Sequence, residues 1–298
     1  MVATDVTDVR PARRRWLGRA AAPYALLLPS VLFMLALFGW PVISAVQQAF
    51  TGTHGGATQN WHDMVAEPHF WESVRNTLLL VVVLIPVQFV LAVGMALLLR
   101  ERLPGRGFYF YVWSVPLAVS DLAAGLVWLS IFTDNGYLNS ALGWFGIDPV
   151  GWLSYQNAST MFLAVFLAEL WRATSLVLII LLSGMQMMPR DYEEAAEVFG
   201  ASFWQRLRHV TLPLMRPSIQ VALILRTILA FQAFAVAQAL TGNEFPLLVG
   251  QTYLWFAGLN DPHVASAVAL VVLGVSMLTA VGYLFMLRRP DQSRGGAR

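Results

Sequence analysis

Apolar residues dominate six long stretches of the chain, at 24–46, 77–99, 108–132, 160–182, 214–237 and 264–287. Each exceeds the roughly 20 helical residues needed to cross a hydrocarbon core, and each is flanked by charged or turn-forming positions. A shorter apolar segment, 245–257, is interrupted by Pro246 and Gly250 and is expected to lie at the interface or to re-enter the membrane. The pattern therefore predicts an all-α integral membrane protein with six transmembrane helices, because backbone polar groups inside the bilayer must be satisfied within helices. The first stretch follows Arg10, Arg13, Arg14, Arg15 and Arg19 but is longer than the about 7–15 apolar residues of a signal peptide, so it is expected to remain as an uncleaved anchor.

Composition agrees with the pattern. Of 298 residues, 57% are hydrophobic and 12% charged, against roughly 45–50% and about 25% in soluble domains. All 19 basic residues are Arg, and Cys is absent as well as Lys. A P-loop and a Schiff-base enzyme each need a lysine, and thiol catalysis or Cys-ligated zinc needs cysteine, so none of these belongs to this chain. The five histidines, His54, His62, His69, His209 and His263, show no ligand spacing, and no metal site is expected. Sixteen of the arginines fall in the tail 1–22, the loop after the second stretch (Arg100, Arg102, Arg106), the 188–216 region (Arg190, Arg206, Arg208, Arg216) and the tail 288–298. The alternate loops hold Arg75 with Asp63, Glu67, Glu72, Asp134, Asp148, Glu244 and Asp261, and also Trp61, Trp71, Trp144, Trp152 and Trp255. Positive charge collects on the cytoplasmic side. Both termini are therefore expected to be cytoplasmic, and residues 23–287 to form one membrane domain between two Arg-rich tails.

The loop 188–213 has its own signals. Pro189 suits a first helical turn, where Asp191, Glu193 and Glu194 complement the positive dipole end, and Gly200 suits a C-terminal stop. Ser202 and Gln205 have capping-box spacing for a second helix through Phe203, Trp204 and Leu207, which Pro213 and Pro217 end. Small residues Ala195, Ala196 and Ala201 beside Phe199 and Phe203 describe a surface that another protein can approach closely; the plainer alternative is a hairpin lying flat on the membrane.

This loop resembles the EAA loop of binding-protein-dependent ABC import permeases: Glu194-Ala195-Ala196, then Gly200, then Leu212-Pro213 stand at the expected separations. Phe70-Trp71, Asn76-Thr77, Pro116 with Gly125, Trp128 and Phe132, the run Gly136–Asn139, the run Glu169–Thr174, Arg226-Thr227 with Phe231, and Leu240-Thr241-Gly242 are similar to the carbohydrate branch of that family, the maltose, trehalose and glycerol-3-phosphate type. Phe199 stands where an Asp usually precedes the loop glycine, Leu229 and Ala235 where acidic residues are frequent, and Gly242-Asn243-Glu244 where Gly-Gly-Pro is usual. The resemblance implies the ABC importer permease fold in a bacterial cytoplasmic membrane, with no cofactor in this chain. It also implies a second permease subunit, an ATPase dimer that carries ATP and Mg, and an extracytoplasmic substrate-binding protein. Glu194, Ala195, Ala196, Phe199, Gly200, Ala201 and Pro213 would then couple to the ATPase.

Four ionisable residues lie deep in the apolar stretches: Asp121, Glu169, Arg172 and Arg226. Each would cost about 2.5–3.5 kcal/mol or more facing lipid, and Arg226 lies roughly 18 Å along its helix at 1.5 Å per residue. Glu169 and Arg172, at i and i+3, share a helix face and can pair. Two acids and two arginines can close a neutral network that pins helices together, or they can line a polar pathway. The second role, with Trp171, Phe231 and Gln232 completing the inventory of sugar-binding side chains, follows from the resemblance, in which spans flanking the EAA loop contact substrate. Gln88 is expected to make a helix–helix hydrogen bond. Two arginines would also suit an anionic glycerophosphodiester or sugar phosphate, and buried charges also occur in ion-coupled secondary transporters. No nucleophile–base pair or metal constellation points to an enzyme.

Overall fold

A computed structural model describes residues 22–52, 56–101 and 104–286. The tails expected at 1–22 (Ala22 apart) and 288–298, and the end of the sixth stretch, lie outside the described residues. These residues divide into two compact units between Gln47 and Gln48. In the first, α1 (Ala22–Met34) passes through a π-helical turn at Leu35–Gly39 into α2 (Trp40–Phe50). The turn ends beside Pro41, whose missing N–H interrupts the α-helical ladder. Large apolar side chains of this unit, including Leu26, Phe33, Phe38 and Trp40, are exposed, as suits a helix solvated by lipid.

The second unit runs through α3 (Gln59–Ala66), α4 (Pro68–Arg100), α5 (Arg106–Ala118), α6 (Asp121–Phe132), α7 (Tyr137–Trp144) and α8 (Ala158–Gln186). It continues through α9 (Asp191–Val198), α10 (Phe203–Arg206), α11 (Leu212–Leu214), α12 (Arg216–Phe231), α13 (Ala235–Thr241), α14 (Leu248–Tyr253) and α15 (Pro262–Met286), with π-helical turns at Leu207–Thr211 and Leu254–Gly258. The described residues contain no strand. Among the described residues, four helical stretches are long and apolar enough to cross a membrane: Pro23–Phe50, Pro68–Arg100, Ala158–Gln186 and Pro262–Met286.

The other two predicted spans are not single helices. Residues 108–132 break between α5 and α6, where the path turns by 105°. Val119 and Ser120 are extended there, and the Ser120 hydroxyl caps α6 by accepting from the Ala123 N–H at 3.3 Å. Residues 214–237 likewise break at Gln232–Phe234 before α13, and a further bend of 71° separates Phe203–Leu214 from α12. Neither Pro nor Gly marks the break after Phe231. Packing does, because Val236 and Ala237 of α13 join Ala124 of α6 in one buried cluster. The segment 245–257 is anchored by the resemblance motif Asn76-Thr77: Asn76 donates to the Pro246 carbonyl at 3.2 Å, and the Thr77 hydroxyl accepts from the Leu248 N–H at 3.0 Å.

Of the four buried apolar clusters among the described residues, two stack along α4 and α8. One holds Leu80 and Leu84 of α4 with Met161, Val165 and Ala168 of α8; the other holds Ala92, Ala96 and Leu99 of α4 with Leu178, Leu181 and Met185 of α8. Residue numbers rise together on both helices, so α4 and α8 run in the same direction. Ala222 lies in the second core, whereas Ala233, just beyond α12, lies in the first, so α12 runs the opposite way.

Beyond the bundle, the loop before α8 is closed by the buried Asn139. It donates to the carbonyls of Asp134 and Val150, and its own oxygen accepts from Val150 N–H and from Trp152 Nε1 at 2.9 Å. Trp152 thus helps to close this loop.

Glycine permits the closest helix approaches. A Cβ built on Gly125 would lie 2.5 Å from the Ala239 Cβ and 3.2 Å from the Val236 carbonyl oxygen, and one on Gly184 would lie 2.1 Å from the Ser218 hydroxyl. Gly125→Val is expected to force α6 away from α13 at a cost of about 1–3 kcal/mol. A thermal midpoint equal to wild type in the solubilised protein would contradict that contact.

Candidate functional site

Between the two apolar cores lies a polar layer. Gln88 of α4, Glu169 and Arg172 of α8 and Arg226 of α12 stand between the core positions of their helices, and Asp121 sits at the first turn of α6, just after the α5–α6 break. The spacing follows from helix period. On α4, Leu84, Gln88 and Ala92 recur every four residues on one buried face, so the one polar member necessarily points inward.

Glu169 is the hub. Its Oε2 accepts from Arg172 Nη2 at 3.1 Å and from Arg226 Nη2 at 3.3 Å, while its backbone carbonyl accepts from Gln88 Nε2 at 3.2 Å. Arg226 Nε donates to Gln88 Oε1 at 2.7 Å, and Arg172 Nη1 donates to Asp121 Oδ1 at 2.7 Å. Four helices are thereby joined by one chain of charge-assisted bonds, and two acids balance two arginines. Arg226 is 0% exposed and Glu169 1% exposed, whereas the Asp121 side chain is 53% exposed. The network therefore runs from the protein interior to an open end. Arg226 Nη1 and Arg172 Nε are buried donors without a partner among the described residues.

A cavity of about 400 Å³ opens at this end, lined by Asp121, Arg172, Arg226 and Gln232 among apolar neighbours such as Pro116 and Leu229. Both helix breaks contribute to it, Val119 from one and Gln232 from the other. Of the residues singled out in the sequence, the structure brings Asp121, Arg172, Arg226 and Gln232 to the cavity wall and sets Glu169 behind the two arginines. Trp171 lies elsewhere, 37% exposed and edge-on to Trp128 with ring centroids 6.2 Å apart. Phe231 is buried against Val81, Ile85 and Ala230. One residue away from a lining position, each points to a different face of its helix. Gln88 makes the helix–helix bonds expected of it.

The 188–213 loop is the second candidate site. The end of α9 is a Schellman motif: Gly200 has φ +78°, its N–H donates to the Glu197 carbonyl, and the Ala201 N–H donates to the Ala196 carbonyl, both at 2.9 Å. The capping box is formed, with Ser202 N–H donating to Gln205 Oε1 at 2.7 Å and Gln205 N–H to the Ser202 hydroxyl at 3.4 Å. Arg206 pairs with Glu197 at 2.7 Å and so bridges α10 to α9. Glu194 and Ala195 are exposed, and Val198 and Phe199 are 85% and 88% exposed.

Sequence reasoning missed the tie between this loop and the bundle. Arg100, at the end of α4, pairs with Glu193, and the Thr211 hydroxyl donates to the same Glu193 oxygen at 2.8 Å. Arg100 had been counted as a topological marker. Its low exposure is a tertiary fact that no local pattern carries.

Arg226→Met removes one cation from Glu169 and leaves the Gln88 oxygen without its donor. Breaking a buried pair in this way costs about 3–5 kcal/mol, so the thermal midpoint of the solubilised assembly should fall sharply. Glu169→Gln in the same chain should recover part of the loss. Strict additivity of the two substitutions would contradict a shared network.

Residues 88–289 match the family model described as "Binding-protein-dependent transport system inner membrane component". The chain is 30% identical to the sulfoquinovosyl glycerol transport system permease protein SmoG of Agrobacterium fabrum, with 98% of each chain covered. It is 29% identical to the trehalose/maltose transport system permease protein MalF of Thermococcus litoralis, over 88% of this chain and 92% of the relative. In three dimensions it is similar to a chain of a bacterial alginate ABC transporter solved in complex with an alginate pentasaccharide-bound periplasmic protein. The TM-score is 0.75 at 20% identity, covering 91% of this chain and 95% of that one. A match over more than half the sequence, with the same helical architecture, establishes that this chain belongs to the inner-membrane component family of binding-protein-dependent transport systems.

Proposed function

We propose that the chain is one of two permease subunits of an ATP-driven importer for a carbohydrate or related polyol. It spans the bacterial cytoplasmic membrane six times, each bent pair counting as one span, with both termini in the cytoplasm. The observation that carries this proposal is the charge-balanced polar cavity. Asp121 accepts hydroxyl protons, Gln232 and the spare arginine N–H groups donate to hydroxyl oxygens, and no net positive charge is left over to require an anion. The carbohydrate cargoes in the names of the two relatives support the same substrate class. The common direction of α4 and α8 and the reversed α12 agree with the alternation that the arginines imply.

In this mechanism a substrate-binding protein delivers cargo to the face bearing the acidic loops, and an ATPase dimer, which holds ATP and Mg, engages the loop through Glu194, Ala195, Ala196, Phe199, Gly200, Ala201 and Pro213. The exposed Val198 and Phe199 support docking over a free loop, because apolar side chains of that size gain by being covered. Closure of the ATPase then moves α9, and Arg100 passes the movement to α4 through Glu193. The bundle alternates between outward and inward access around the polar layer.

Four outcomes are expected of the purified and reconstituted assembly. ATP hydrolysis accompanies the assembly and is absent from this chain alone. Uptake of labelled trehalose survives collapse of ion gradients and stops without ATP; the reverse pattern would identify a secondary transporter. Glu194→Lys abolishes co-purification of the ATPase while the permease keeps its thermal midpoint, and retention of full ATPase binding and transport would refute the coupling assignment. Arg100→Ala should lower transport per ATP hydrolysed by about tenfold, roughly 1.4 kcal/mol of lost coupling, with the ATPase still bound.

A further inference from the structure

A second cavity, of about 220 Å³, borders the segment that follows the break between α12 and α13. Gln232 faces the cavity described above, and Phe234, two residues later, lines the other. This second cavity is built from α13, the turn after it, and α14, against His69 near the start of α4. On the proposed topology it is at the outer end of the bundle.

Its wall is rich in hydrogen-bonding groups. Gln251 on α14 is 4% exposed, and its side-chain carbonyl oxygen is buried with no hydrogen-bond partner among the described residues. Buried acceptors without a donor are rare in folded proteins, and this one lies in a residue that lines a cavity. Gln238 and Asn243 also line it, joined by a long 3.4 Å bond from Gln238 Nε2 to Asn243 Oδ1 that a better acceptor could displace. Glu244 adds an exposed carboxylate. Phe234 supplies an apolar wall, packed against Tyr253 at a ring-centroid distance of 5.3 Å. The site is also held in place: Asn76 and Thr77 of α4 fix the start of α14, and Gly242 makes the turn with φ +57°.

Amides that both donate and accept, with a carboxylate that accepts, beside an aromatic ring, match a neutral polyhydroxylated ligand. The volume lies below the roughly 300–1,000 Å³ of drug-sized pockets, which limits the part of a cargo that it encloses to one sugar ring or a small polyol, the remainder projecting from the mouth. We propose that this cavity is a second carbohydrate site, a loading station in which a hydroxyl of the cargo donates to the Gln251 oxygen before the cargo passes the α12–α13 break. The proposal rests on the sugar-importer function proposed above.

The test uses the complete transporter in nanodiscs and a photoreactive aryl-diazirine glucoside as the probe, with labelled peptides mapped by mass spectrometry. Peptides covering 234–254 should be labelled, and excess trehalose should compete. Gln251→Leu should reduce this labelling by about tenfold, as should Gln238→Ala, which lies at a half-buried position and spares the packing. Labelling of peptides carrying Arg172 and Arg226 should be unchanged in both variants. Labelling confined to the Arg172 and Arg226 peptides overturns the second site and leaves the importer function standing. So does labelling at 234–254 that neither substitution reduces. Absence of labelling at both sites, together with no trehalose uptake, overturns both proposals.

Discussion

A carboxylate in the middle of an apolar helix is tolerated only where its charge is answered on the spot, and Glu169 meets that condition with two arginines. The Arg172 contact is local, three residues along α8; the Arg226 contact joins α8 to α12, 57 positions later in the chain. Gln88 closes the circuit on α4, and Asp121 closes it on α6. Lipid offers no water to satisfy a stray donor. The four helices must therefore meet at this level, and the two apolar cores, which alone would permit sliding along their seams, are held in register by it. Ion pairs of this kind contribute specificity of arrangement more than net stability.

The same layer explains where the helices break. An unwound backbone inside a membrane survives only if it faces protein or a water-filled cavity, and both breaks, at Val119–Ser120 and at Gln232–Phe234, border cavities. Ser120 compensates locally by capping α6. The break after Phe231 has no such local signal; α13 finds its position by burying Val236 and Ala237 beside Gly125 and Ala124. Cavities and breaks are thus two aspects of one arrangement, and residues in the breaks are free to present side chains to a passing polar ligand.

At the other end of the molecule, rigidity is concentrated in a short loop. The Schellman turn at Gly200, the Ser202–Gln205 box and the Arg206–Glu197 pair fix α9 against α10. Arg100 and Thr211 converge on Glu193 and tie the pair to the bundle. A stiff connector that leaves Val198 and Phe199 uncovered is suited to passing a push from a partner docked there.

Several features were legible because they depend on neighbours in sequence. Four of the six spans, the Gly200 stop and Ser202–Gln205 box of the 188–213 loop, and the i, i+3 pairing of Glu169 with Arg172 all follow from helix geometry and side-chain reach, and each is present in the structure. The straight helices expected at 108–132 and 214–237 were not legible as broken, because hydropathy averages over a bend. Trp171 and Phe231 joined the cavity inventory by chemical type, but a rotation of about 100° per residue turned them away from the wall. Arg100 and Gln251 gave no local sign of importance. Sequence by itself determined which segments must be helical and that four charges had to be answered inside the bundle, since helical period and desolvation act residue by residue. Only the tertiary structure decided which charges answer each other, where the helices open and which polar atoms are left for a ligand, because those outcomes depend on contacts between segments far apart in the chain.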